Sequence, residues 1–151
     1  MTGRSVRFVV VAASVLLSAC AADKPESGVD PRDANQVARG TTLYGAHCAS
    51  CHGARLEGQP DWRRRLPNGR LPAPPHDDSG HTWHHPDADL LAMIRNGIVP
   101  PLAPEGYKSD MPAFAGTLSD DDMRAALAYI QSHWSPEILA VRERMLEQRK
   151  R

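Results

Sequence analysis

Apolar positions in this chain fall into three helical periods, set apart by long proline-bearing stretches. In "ANQVARGTTLYGAHC", Val37, Thr41, Tyr44 and Cys48 recur at helical spacing, and Gly40 beside them leaves a notch for a second helix. The period is stronger in "TLSDDDMRAALAYIQSHW", where Met123, Leu127, Ile130 and Trp134 share one face behind Ser119, a good N-cap followed by acidic residues. Between these lies "HHPDADLLAMIRNG", with Pro86 suited to the first helical position, Asp87 and Asp89 early, apolar Leu90, Leu91 and Ile94, and Gly97 as terminator. No run alternates as a strand, and prolines crowd Pro67 to Pro75 and again Pro100 to Pro112. The pattern predicts an all-α fold of about three core helices, with loops so long that they must wrap something.

The two ends read differently. Arg4 and Arg7 precede an apolar run from Phe8 to Leu17, and small residues follow, which is the anatomy of an export signal. A spanning helix needs about 20 residues, so this run is too short to cross a bilayer. "LSAC", Leu17 to Cys20, resembles the lipobox of bacterial lipoproteins, whose cysteine becomes the acylated first residue of the mature chain. Ordinary cleavage after Ala19-Cys20-Ala21 is the alternative. The expected organisation is a signal peptide over residues 1–19, a lipidated flexible tether over 20–33, a folded domain over 34–134 and a basic helical extension over 135–151. Such a protein is exported to the periplasmic side and held to a lipid bilayer through Cys20, with inner and outer membrane both open. In the extension, Ile138, Leu139, Arg142, Met145 and Leu146 have amphipathic spacing; packing on the domain, binding a partner and lying on anionic lipid all remain open for it.

Length and charge narrow the picture. At 151 residues the chain is one domain, and 18 basic against 18 acidic side chains argue against nucleic acid as a partner. Only 5% of residues are aromatic and 13 are proline, so the core is small and a bound cofactor is a natural supplement to it.

"CASCH" supplies the chemistry. With Cys20 assigned to export, Cys48 and Cys51 remain, and His52 directly follows the second. A closed zinc site wants four ligands, and no second CxxC exists. A redox dithiol of the thioredoxin kind wants a βαβ context that is missing from the pattern. Covalent haem wants two thiols for two vinyl groups and an imidazole immediately after them, which is this spacing.

From about Ala34 to Trp134 the chain resembles a small monohaem class I c-type cytochrome, through "GTTLYGAHCASCHG", "LLAMIRNGI" and "MPAFAGTLSDDDMRAALAYI" in that order. The resemblance implies an all-helical fold in which the first and last core helices cross at right angles, with Gly40 and Tyr44 meeting Tyr129. It implies one haem c on Cys48 and Cys51 with His52 as proximal ligand. It also implies Met111 as distal ligand, since "KSDMPAFAG" matches the family's methionine-proline step, whereas Met93 and Met123 fall on inward helix faces and fill core. A thioether opposite an imidazole raises the reduction potential and closes both axial positions. The implied protein is an electron carrier, not an enzyme, working between redox protein donors and acceptors, respiratory membrane complexes among them.

"PPHDDSGHTWHHPD" gathers His76, His81, His84 and His85, a tract of the kind that binds copper or zinc, although a loop at this spacing enforces no coordination geometry. The other reading is that Trp83 and one or two of these histidines donate N–H bonds to haem propionates, Trp83 by analogy with tryptophan-bearing loops of the family. Trp62 and Arg63 to Arg65 form either a solvated loop or a docking patch for an acidic redox partner. Two rival functions stand beside the carrier: a haem enzyme or sensor with a labile distal ligand, and a periplasmic copper-binding protein.

Overall fold

Helices begin where side chains can take up the free amides of a first turn. Asp33 does this for α1 (Ala34–His47), its carboxylate accepting from the amides of Asn35 and Gln36. Then come α2 (Ala49–His52), a 3-10 turn over Thr82–His84, α3 (Asp87–Asn96), α4 (Asp120–Gln131) and α5 (Pro136–Arg149). The structure is a computed structural model describing residues 25–149 and 151; the expected export signal and the expected lipidation site, Cys20, lie outside the described residues. Among the described residues there is no strand, and no helix is long and apolar enough to cross a membrane.

The core is the contact between α1 and α4. Ser119 caps α4 with a reciprocal capping box to Asp122, fixing where its period starts. Met123, Leu127 and Ile130 are buried on that helix together with Ala125, Ala126 and Ala128, and Trp134 is buried just beyond its end. Alanines on this face let the helices come close, and Gly40 completes the fit. A Cβ at Gly40 would collide with the carbonyl of Ala125 and the Cβ of Tyr129. One turn on, the rings of Tyr44 and Tyr129 meet with centroids 5.1 Å apart. Thr41 departs from the expected stripe: it is exposed, and its hydroxyl donates back to the Val37 carbonyl at 3.0 Å. The inward face runs through Val37, Gly40 and Tyr44 instead, because the notch, having no side chain, carries no apolar signal.

The Gly40 notch predicts an asymmetry within one helix. Overpacking costs about 1–3 kcal/mol or more, against a gain of about 1 kcal/mol when alanine replaces glycine in a helix. A backbone carbonyl cannot rotate away, so Gly40→Ala should destabilise the fold by about 2 kcal/mol net in a denaturant titration. Gly45, with nothing within 4 Å of its Cβ position, should gain up to about 1 kcal/mol on the same change.

Helix α3 lays Leu90 on this core with Leu91, Met93 and Ile94 half-buried beside it, and ends at Gly97, whose φ of +76° turns the chain away. Helix α5 packs on the domain, the first of the three arrangements open for the extension. Ile138 packs against the core, Met145 and Leu146 are half-buried and Arg142 is buried, while Leu139 stays 39% exposed, so a charged residue is the most buried member of the amphipathic stripe.

The expected tether is shorter than residues 20–33. Val29 is 1% exposed within the core cluster. The Gln36 side chain donates to the Gly28 carbonyl at 2.8 Å and accepts from the Asp30 amide at 2.7 Å, and Arg124 donates to the Ser27 carbonyl at 3.1 Å. One apolar side chain and a few polar contacts are enough to seat a segment that composition marks as a linker. Asp87, opening α3, gathers the ends of the chain: its carboxylate accepts from Ser27 at 2.7 Å, from Gln131 at 2.7 Å and from Arg142 at 2.5 Å.

Candidate haem site

Tyr44 carries the core into the site, its hydroxyl donating to the Gly53 carbonyl at 2.9 Å, directly behind His52. Burial pushes the Tyr44 pKa up, so the donor keeps its proton. Between these residues, α2 holds the cysteine motif in one helical turn, with the His52 amide donating to the Cys48 carbonyl at 2.9 Å. Cys48 is half-buried against the core, whereas Cys51 is exposed; both are free thiols. Burial first, and the neighbouring Cys51 second, push the Cys48 thiol up to about 11.

His52 is buried at 8% exposure, and its Nδ1 lies 2.8 Å from the Pro74 carbonyl. A carbonyl only accepts, so Nδ1 carries the proton and Nε2 keeps a lone pair. Burial lowers the His52 pKa and the Pro74 bond partly offsets it, leaving a neutral imidazole ready to bind metal. On one ring face lies His76, stacked at 3.9 Å between centroids with planes 20° apart. Its Nδ1 shares a hydrogen bond with the Thr82 hydroxyl at 2.8 Å, and burial holds its pKa well below the usual histidine value. His76 thus supports the ring of His52 from within the loop.

Met111 sits half-buried in the loop between α3 and α4, its amide donating to the Ser109 hydroxyl at 3.0 Å. The loop is fastened to the end of α3 by amides of Phe114 and Ala115, which donate to the carbonyls of Ile94 and Arg95 at 3.0 and 3.1 Å. A Cβ at Gly97 would stand 3.1 Å from the Met111 carbonyl, so the glycine also makes room for this loop. Phe114 meets His47, the residue before Cys48, edge to face at 6.2 Å. The methionine loop is thereby joined to the start of the cysteine motif.

The histidine-rich loop does not form a metal centre: among the described residues no three histidine, cysteine or acidic side chains converge to hold an ion. His81 stacks on Trp62 at 5.2 Å, and His84 lies edge-on to Trp83 at 3.8 Å. Arg63 sits 4.4 Å over the Trp62 ring, so part of the basic run is tied to the loop's own aromatics. Two side-chain nitrogens here, Trp83 Nε1 and His81 Nδ1, are buried with no hydrogen-bond partner among the described residues. Buried polar atoms are nearly always satisfied, so two orphans two residues apart mark the place of a polar group supplied from outside the chain. A haem fits what is present: two free thiols, a neutral imidazole with a free Nε2, and orphaned nitrogens able to face carboxylates.

Sequence reasoning missed the Pro74 carbonyl, and it singled out His76 without foreseeing its stacking on His52. Pro74 lay within a proline cluster whose only legible meaning was a loop, and a backbone acceptor has no side-chain signature. The adjacent Pro75 and His76 were the nearest available signal.

Comparison with known proteins agrees with this geometry. The cytochrome c family model matches residues 37–134. The chain is similar to cytochrome c-554(547) of Halothiobacillus neapolitanus, with 35% identity over 101 residues, 64% of this chain and 96% of that protein. It is also similar to cytochrome c-555 of Prosthecochloris aestuarii, with 31% identity over 103 residues, 62% of this chain and 84% of the relative. No solved structure matches. With the family matched from the middle of α1 to Trp134 and a single CxxCH within that span, the chain belongs to the cytochrome c family as a class I, monohaem c-type cytochrome carrying covalent haem c.

Proposed function

We propose that this cytochrome is a membrane-tethered carrier, passing single electrons between redox proteins on the periplasmic side of a membrane, with respiratory complexes as donor or acceptor. Cys48 and Cys51 hold the haem as thioethers, His52 is its proximal ligand, Met111 its distal ligand, and Trp83 donates to a propionate. The observation that carries the reading is His52 itself, buried, neutral and fixed through Nδ1 by Pro74, with Nε2 free directly after two free thiols. Haem supplies the one-electron couple of its iron; the protein supplies burial, ligand orientation and dipoles that set the potential. His52 is held in one tautomer and one ring plane by Pro74 and His76, so little reorganisation of this ligand accompanies gain or loss of an electron.

Cys20 is the anchor in this reading, supported by the "LSAC" lipobox and by the export signal before it. Several acyl chains bind a bilayer firmly, since each buried CH₂ contributes about 0.8 kcal/mol. The test is expression of the full chain in a bacterium competent for haem attachment, followed by fractionation and spectroscopy. Wild type should sediment with membranes, reduce and reoxidise reversibly, and exchange electrons with membranes containing respiratory complexes. Cys20→Ser should appear soluble or remain unprocessed. A Cys20→Ser protein that is cleaved normally and still sediments would shift the anchor to the basic end of α5, and wild-type protein that exchanges no electrons with such membranes would remove the proposed partners.

A further inference from the structure

We propose that Arg142 of α5 is a positioning residue for the haem site: by gripping the backbone of the Trp83 segment, it aims the Trp83 indole N–H and so helps to set the reduction potential. The inference rests on the reading of Trp83 as a propionate donor. Arg142 lies outside the span matched by the family, on an extension that electron transfer by itself does not require.

The segment from His76 to Asp87 is held by α5 and its lead-in. Trp134 donates its indole N–H to the His76 carbonyl at 2.9 Å, and the Ser135 amide donates to the Asp78 carboxylate at 3.1 Å. Arg142 Nη1 donates to the Trp83 carbonyl at 2.9 Å and to the His85 carbonyl, while Nη2 reaches Asp87 at 2.5 Å. Its guanidinium carbon stands 5.1 Å over the Trp134 ring, and its side chain is 8% exposed. These contacts take up carbonyls and carboxylates. On the same segment, Trp83 Nε1 and His81 Nδ1 are buried and left without a protein partner. The segment's carbonyls and carboxylates are therefore braced by α5 and its lead-in, while these two nitrogens are left for an outside acceptor.

Packing alone does not call for an arginine at this position. A buried ion pair is weak support for stability, and an apolar residue of similar volume would seat a helix as well or better. What the guanidinium adds is a rigid planar fork able to bond two carbonyls and a carboxylate at once, which a lysine cannot do in the same geometry. That fork fixes the Trp83–His84 and His85–Pro86 peptides and hence the direction in which the Trp83 ring leaves the chain. An N–H donated to a carboxylate draws off part of its negative charge, and negative charge near the iron favours the oxidised state. A loosened Trp83 therefore lowers the potential.

The experiment compares holoprotein of the full chain as wild type, Trp83→Phe, Arg142→Met, Arg142→Lys and the Trp83→Phe/Arg142→Met double variant. It reads the midpoint potential by redox titration and the exchange of the Trp83 indole proton by NMR in the reduced state. Trp83→Phe should lower the potential. Arg142→Met should lower it in the same direction and speed indole exchange by about tenfold, the factor expected for losing a charge-assisted hydrogen bond worth about 1.5 kcal/mol. The double variant should show no shift beyond that of Trp83→Phe, and Arg142→Lys should leave most of the shift in place. Should the methionine variant fail to give holoprotein, the lysine variant supplies the same two readings. A shift in Trp83→Phe with none in either Arg142 variant overturns the role of Arg142 while leaving Trp83 as a donor. Additive shifts, or full rescue by lysine, overturn it too, because Arg142 would then act independently of Trp83 or through charge alone. No shift in Trp83→Phe removes the propionate reading and the inference together.

Discussion

Replacing Cys48 and Cys51 together by alanine should give a chain from which acidified organic solvent extracts all haem, whereas wild-type haem stays with the protein. Each thioether forms when a thiol adds across a vinyl group, sulfur bonding to one carbon and hydrogen to the other, so each cysteine accounts for one bond. Single replacements should leave one thioether, visible as an altered reduced spectrum, and His52→Ala should prevent stable holoprotein because attachment and ligation together complete a small core. The two cysteines should differ in a second respect. Cys51 is exposed and its loss should affect the haem bond alone, whereas Cys48 packs against the core and should also lower resistance to denaturant. Extractable haem in the wild type would end the c-type assignment outright.

Met111→Ala should abolish the weak near-infrared sulfur-to-iron band of the oxidised protein and drop the potential by a sizeable part of the roughly 0.8 V range that axial ligands command. The effect should be specific. Phe114, Ala115 and Ser109 fasten the loop through backbone contacts that do not involve the Met111 side chain, so the loop keeps its place without the sulfur. Met123 is 1% exposed on α4 and Met93 belongs to the face of α3 packed on the core, which ties both to packing. A band retained in the variant would hand the ligand role to one of them. Ready binding of carbon monoxide or cyanide by the wild type at neutral pH would favour the rival reading of a haem enzyme or sensor, since a closed distal site resists both.

What the sequence made legible is what side chains encode. Ser119 with its acidic turn and the period through Met123, Leu127 and Ile130 mark α4 because burial on one helical face repeats in the chain. Gly40 was readable as a notch because a missing side chain beside an apolar stripe has few other uses. The cysteine motif was readable because two vinyl groups and an iron demand a fixed spacing. Contacts made by backbone or by single residues left no such pattern. The Pro74 carbonyl that orients His52 is one of these, as is Val29, a lone apolar residue in a polar stretch that nevertheless enters the core. Arg142 entered the amphipathic spacing of the extension without a role of its own, because its partners, the carbonyls of Trp83 and His85, lie on a loop whose approach only the fold reveals.

The docking of Ser27 and Val29 onto the domain changes how far a lipid-anchored form can travel. Thirteen residues from Ala21 to Asp33 would span about 43 Å at 3.3 Å per residue, but only Ala21 to Glu26 precede the docked stretch, and these reach at most about 20 Å. A domain of this size has a radius of gyration of about 14 Å, so its leash is shorter than its own breadth. Anchored at Cys20, the cytochrome can roll against the bilayer but cannot lift clear of it. Donor and acceptor must then offer their redox surfaces close to the headgroups, and traffic between them becomes a search in two dimensions, governed by lateral drift and by which side of the domain faces outward.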